Sequence, residues 1–161
     1  LMGNIPLNEQ RRPLSYRYFD SLPQNFRESA LLDRFHCFIE GWYLPRINKS
    51  MIFKGWTINV EYFSELMHSL RTQNTYGLLF DALVSFEPNA DMRDFTAVKR
   101  IATAYMKLLF PHWQSVADVD FDDFDQYCLQ PAIMRRGIIK TQCHNIDEEF
   151  NTRMPNIEVC K

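Results

Sequence analysis

Arg93, Arg100 and Lys107 recur every seven residues within 91–111, so a helix would put all three on one face. Ala97 and Ala104 lie between them. Small residues beside such groups let a planar or anionic group approach closely. Arginine suits that partner because its fork is planar, always charged and able to hold an anion through two bonds. The same spacing also describes a solvated basic face, and on this stretch alone that reading fits better. Two upstream residues shift the balance. Asn4 ends an apolar segment, and Arg34 follows a short helical pattern. In chain order, Asn4, Arg34 and Arg93 are the kinds of parts that phosphoryl transfer uses. A polar side chain orients the attacking water, and arginines neutralise charge spreading over the γ-phosphate.

Other chemistries find less support. The chain has no Gly-x-Ser-x-Gly and no Gly-x-x-x-x-Gly-Lys-Ser/Thr loop, so it is not expected to act as an autonomous enzyme or to cradle a phosphate chain by itself. Asp118, Asp120, Asp122, Asp123 and Asp125 are close enough to hold a cation. They lack the Gly and terminal Glu of a calcium loop, and a solvated helix start fits them better. Cys143-His144 would be half a metal site without a second half, and we assign no metal ligands.

The elements that must position these residues are mostly helical. Asp91 is placed to cap a helix that Pro111 stops, with Val98, Ile101, Ala102, Tyr105, Leu108 and Leu109 as its buried stripe. Residues 5–23 are punctuated by Pro6, Pro13 and Pro23 and predict a loop, with a helical turn near 16–19. Asn25 and Glu28 have the form of a capping box for a helix over 25–33. Residues 35–39 are expected to be a short strand, and 1–5 the end of a buried one. Thr57 is expected to cap a helix reaching Leu70, with a stripe of Phe63, Leu66, Met67 and Leu70. Further helices are expected over 76–86 and 132–144, the second after Pro131, and residues 151–161 are expected to fray.

Composition fits one folded domain or two small ones: 161 residues, 46% apolar and 24% charged. A net charge of −2 supplies no global field for nucleic acid, so such binding would need a local patch or partner subunits. No apolar run nears the roughly 20 residues of a membrane span, so no membrane partner is expected. The irregular spacing of Cys37, Cys128, Cys143 and Cys160 suggests reduced thiols and a cytoplasmic location.

Two longer blocks carry a resemblance to a known family. They are Asp33-Arg34-Phe35-His36-Cys37-Phe38-Ile39-Glu40-Gly41-Trp42-Tyr43-Leu44-Pro45 and Arg93-Asp94-Phe95-Thr96-Ala97-Val98-Lys99-Arg100, the latter followed by Lys107-Leu108-Leu109-Phe110-Pro111-His112. With Gly3-Asn4-Ile5 and the basic pair Arg135-Arg136, the chain from residue 1 to about residue 150 resembles the BrxL family of Lon-related BREX phage-defence AAA+ proteins. The resemblance implies a mainly α fold: the helical lid subdomain of an AAA+ ATPase with a remnant of the preceding α/β core. Residues 1–55 would end the core, 56–150 would form a compact lid, and 151–161 a tail. Residues 1–55 are expected to be loosely held, and sequence before residue 1 is expected to complete the core.

Site roles follow from the same resemblance. Asn4 looks like sensor 1, Arg34 like an arginine finger and Arg93 like the sensor 2 arginine, while Arg100 is a second basic, nucleotide-binding position. Sensor 2 acts either in its own site or in trans. Implied for the complete protein are ATP with Mg, a homo-oligomeric and expectedly hexameric ring, DNA and other BREX proteins as partners, and no proteolysis by this stretch. The chain alone is expected to bind neither ATP nor Mg. The alternative is a stand-alone helical module that presents Arg135, Arg136 and Lys140 to nucleic acid or a protein partner.

Overall fold

Helices dominate the architecture, as expected, but several boundaries differ for physical reasons. The computed structural model describes residues 2–160. Leu1 lies outside them, and residues 2–5 form no strand. A 3-10 turn occupies Tyr18–Ser21, where a helical turn is predicted. The predicted helix over 25–33 is instead a 3-10 turn, Gln24–Phe26, followed by α1, Ser29–Leu32. Neither has a side-chain cap, so the Asn25/Glu28 box does not form. Residues 35–39 form no strand. The carbonyls of Phe35 and Phe38 accept from Arg136 and Arg135 instead, so arginine side chains replace a neighbouring strand.

α2 is Val60–Arg71, capped by Asn59 rather than Thr57. Of its expected stripe only Leu70 is buried. α3 is Thr75–Leu83 and stops early because the chain turns into β1, Val84–Phe86. β1 pairs antiparallel with β2, Ile157–Val159. The tail expected to fray is therefore tied down by ladder bonds and by Cys160 N donating to Leu83 O at 2.8 Å.

α4, Met92–Leu109, is the central rod. Asp91 caps it by accepting from Arg93 N at 2.7 Å, and its last residue precedes Phe110-Pro111. Its buried face is Asp94, Ala97, Val98, Ile101, Ala102 and Met106. Leu108 and Leu109 are exposed, contrary to expectation, and Ala97 faces inward. α5, Phe121–Asp123, starts with Asp120 accepting from Asp122 N and Asp123 N. The acidic run thus serves helix starts, since Asp118 accepts likewise from Ser115 N. A π-helical turn, Phe124–Leu129, leads without a break into α6, Gln130–Ile146. Pro131 sits in the first turn of α6, where its missing N–H costs least, and the wide turn precedes it.

Two apolar clusters hold these elements. The larger joins α3, α4, the π-helical turn and α6 through Tyr76, Phe80, Val98, Met106, Phe124 and Ala132. The smaller packs Phe19 and Leu32 against Ile139 and Cys143 of α6. Gln142 reinforces it, accepting from Tyr18 N and donating to Tyr16 O, both at 2.7 Å. Residues 16–38 are therefore docked along α6 rather than loose, which corrects that expectation for this part of the segment.

Candidate functional site

The short α1 is followed at its C-terminal end by Asp33, whose side chain is only 7% exposed. A carboxylate cannot be buried there without cations, and two arginines meet it. Arg136 Nη2 of α6 donates to Asp33 Oδ1 at 2.6 Å, and Arg93 Nη1 of α4 donates to Oδ2 at 2.5 Å. Arg136 is 1% exposed, and all three of its guanidinium nitrogens donate hydrogen bonds. It also donates to Asp94 Oδ1 at 2.8 Å and to the carbonyls of Asp33 and Phe35. Lys140 completes the chain at Asp94 Oδ2, 2.5 Å away. Burial pushes the Asp33 pKa up, but the Arg93 bond and the Arg136 charge outweigh it and hold the carboxyl below its ordinary value. Charges alternate along Arg93, Asp33, Arg136, Asp94 and Lys140, so each buried carboxylate is doubly paired.

Arg93, Asp33 and Arg136 of this network form part of the lining of a cleft of about 390 Å³. Arg34, Arg93 and Arg100 line it with Arg136, His36 and Asp33. Four arginines thus face one carboxylate whose two oxygens are already taken. The donor set suits an oxyanion such as phosphate, not a divalent cation. Among the described residues no three His, Cys, Asp or Glu side chains are grouped to hold a metal. Ala97 leaves the floor open beside the guanidinium groups.

Three of the four predicted site residues converge here. Arg34 is exposed, and its Nη1 donates to Ala30 O at 2.5 Å. Among the described residues it has no ion pair, whereas Asp33, an obvious local partner, is spent on Arg93 and Arg136. Arg100 Nη1 lies 3.0 Å from His36 Nε2. Lys107, predicted on the same face, reaches the Arg71 carbonyl instead and lines an adjoining groove of about 640 Å³ between α2, α3 and α4, which shares Thr96 and Arg100 with the cleft. Asn4 is exposed and is not part of the cleft.

Sequence reasoning missed Asp33, His36 and Arg136. The alternative reading, a stand-alone module, presented Arg135, Arg136 and Lys140 to a partner, and the side chains are engaged otherwise. Arg135 Nε donates to Tyr105 Oη, Arg136 is buried and Lys140 is paired with Asp94. A signal was available, because Ala132, Arg136, Ile139 and Cys143 follow helical spacing and all are buried. An arginine on an apolar stripe calls for buried carboxylates. Cys128 and Cys143 are inert packing residues, with thiol pKa values pushed up by burial to about 12 and about 11. His144 Nδ1 donates to Phe150 O at 2.8 Å, which gives it a structural role.

The model of the Lon-like protease BrxL-like ATPase domain matches residues 1–156. The Lon-like protease BrxL of Escherichia coli O9:H4 (strain HS) is 25% identical over 142 residues, covering 88% of this chain and 20% of that protein. The Lon-like protease BrxL of Bacillus cereus (strain H3081.97) is 24% identical over 146 residues, covering 90% and 21%. The chain therefore spans about a fifth of the length of these curated relatives. With nearly its whole length matched, the chain belongs to the BrxL-like ATPase-domain family of Lon-like proteases.

Proposed function

We propose that this chain is the C-terminal portion of an AAA+ ATPase module, the helical lid with the end of the α/β core, and that its arginine cleft engages the phosphates of ATP. In the complete protein this would couple ATP hydrolysis in a homo-oligomeric, expectedly hexameric ring to action on DNA within a BREX antiviral system. The observation that carries the reading is the convergence of Arg34, Arg93 and Arg100 on one cleft from distant parts of the sequence. Arg34 would act as the arginine finger and Arg93 as sensor 2. Because both line one cleft, a finger role for Arg34 in trans puts Arg93 on the same neighbouring nucleotide. The sensor 1 role of Asn4 rests on family membership alone. Mg would be held by ATP and by residues outside this cleft, because Asp33, the one carboxylate among the cleft's described lining residues, already accepts from an arginine at each oxygen.

Arg34→Ala in the full-length protein tests this. A trans-acting finger is worth roughly 10³–10⁵ in rate, so turnover should collapse while ATP binding persists. Mixing Arg34→Ala subunits with subunits unable to bind ATP should restore part of the activity, because some interfaces then pair an intact finger with an intact nucleotide site. Mixtures as inactive as either parent, yet still assembled by size-exclusion chromatography, refute a finger in trans.

A further inference from the structure

We infer that His36 is the positioning residue for Arg100, holding that guanidinium at the cleft through a neutral imidazole protonated on Nδ1. This rests on the phosphate reading of the cleft. Arg100 Nη1 and His36 Nε2 are 3.0 Å apart. A guanidinium only donates, so Nε2 must be the acceptor, and the ring's proton sits on Nδ1. The surroundings favour that uncharged form. Arg93 and Arg100 of α4, Arg136 of α6 and Arg34 of the same segment line the cleft with His36, and Asp33 is already doubly paired. Asp33 and His36 thus flank Arg34 and each takes one α4 arginine, Asp33 holding Arg93 and His36 holding Arg100. The four residues 33–36 set the spacing of all three cationic groups. An arginine on an exposed helix face samples many rotamers, and an acceptor that fixes one of them lowers the entropy cost of engaging an anion.

The test uses the full-length protein, ring ¹⁵N NMR and binding of a non-hydrolysable ATP analogue. In the wild type the His36 ring should carry its proton on Nδ1, and Arg100→Ala should shift it toward Nε2. His36→Ala should weaken analogue binding about tenfold, as the loss of one charged hydrogen bond would. Arg100→Ala should weaken it at least as much, and the double variant should be no weaker than Arg100→Ala. His36→Gln, which keeps an acceptor oxygen near the Nε2 position, should bind within about twofold of wild type. A tautomer indifferent to Arg100→Ala overturns the inference. So does wild-type binding by His36→Ala alongside weakened binding by Arg100→Ala. Wild-type binding by Arg34→Ala, Arg93→Ala and Arg100→Ala together is a different result. It would remove the nucleotide from this cleft, and the positioning role with it.

Discussion

The N-terminal end of α4 and the whole of α2 both have amphipathic sequences, yet the fold treats them oppositely. At the start of α4, Asp94 is buried and ties α4 to α6 through Arg136 and Lys140. Along α2, Phe63 and Leu66 remain 46% and 44% exposed, and only the last turn reaches the core, at Leu70. A charge at one place is buried while apolar rings at the other stay in water. Periodicity marks which residues share a face, but partners decide whether that face is covered. The carboxylates can be buried because three cations, Arg93 of α4 with Arg136 and Lys140 of α6, meet them. α2 has no such partner among the described residues.

The sharpest way to break this contrast is Arg136→Ala. It strips Asp33 and Asp94 of their shared cation and leaves the Phe35 carbonyl without that donor. Breaking a buried pair from one side costs about 3–5 kcal/mol, and the remaining bonds from Arg93 and Lys140 place the loss near the lower end. Urea denaturation followed by circular dichroism should show the midpoint drop. A loss below about 1 kcal/mol would show that the network contributes little to holding α1 and α4 on α6.

What the sequence disclosed follows the same division. α4 was readable to within a residue, because its cap, periodicity and proline stop are all local signals. Spacing placed Arg93 and Arg100 on one face, but it cannot bring residue 34 to residue 93; that part of the convergence was foreshadowed by residue types in chain order and by family resemblance. The strand expected over 35–39 failed because extended propensity does not reveal what bonds the backbone. Here the partners are two arginines about a hundred residues further on. The β1–β2 pairing was hidden because three-residue strands carry almost no periodic signal. Arg136 was misplaced because its charge was weighed ahead of its position on the α6 apolar stripe.

Acid probes the charged region more gently. Burial first, and then the Arg100 and Arg136 charges, hold the His36 pKa below its ordinary 6.5. The folded protein therefore binds fewer protons than the unfolded chain in the window just below pH 6.5. His36 contributes stability that is present above pH 6.5 and lost as pH falls through its folded value. Asp33, with its pKa lowered, contributes stability present above about 3.9 and lost at still lower pH. The urea midpoint should thus fall in two separate windows. His36→Gln should flatten the upper one and leave the lower, and an unchanged upper step would remove His36 as its source.

The smallest effects are expected on α2, and they sharpen the comparison by what they fail to do. Gln is nearly as good a helix former as Leu, so Phe63→Gln and Leu66→Gln test burial with little penalty from propensity. With both side chains nearly half exposed, each change should alter stability by no more than about 0.5 kcal/mol. Leu70→Ala, one turn further on at a buried position, should cost about 2 kcal/mol or more. The ratio between the two costs is the measurement that matters. If Phe63→Gln proves as costly as Leu70→Ala, the α2 face is covered in solution. Repeating the denaturation at a series of protein concentrations would then identify the cover: a midpoint that rises with concentration means a second copy, and a constant midpoint means a segment of the same chain.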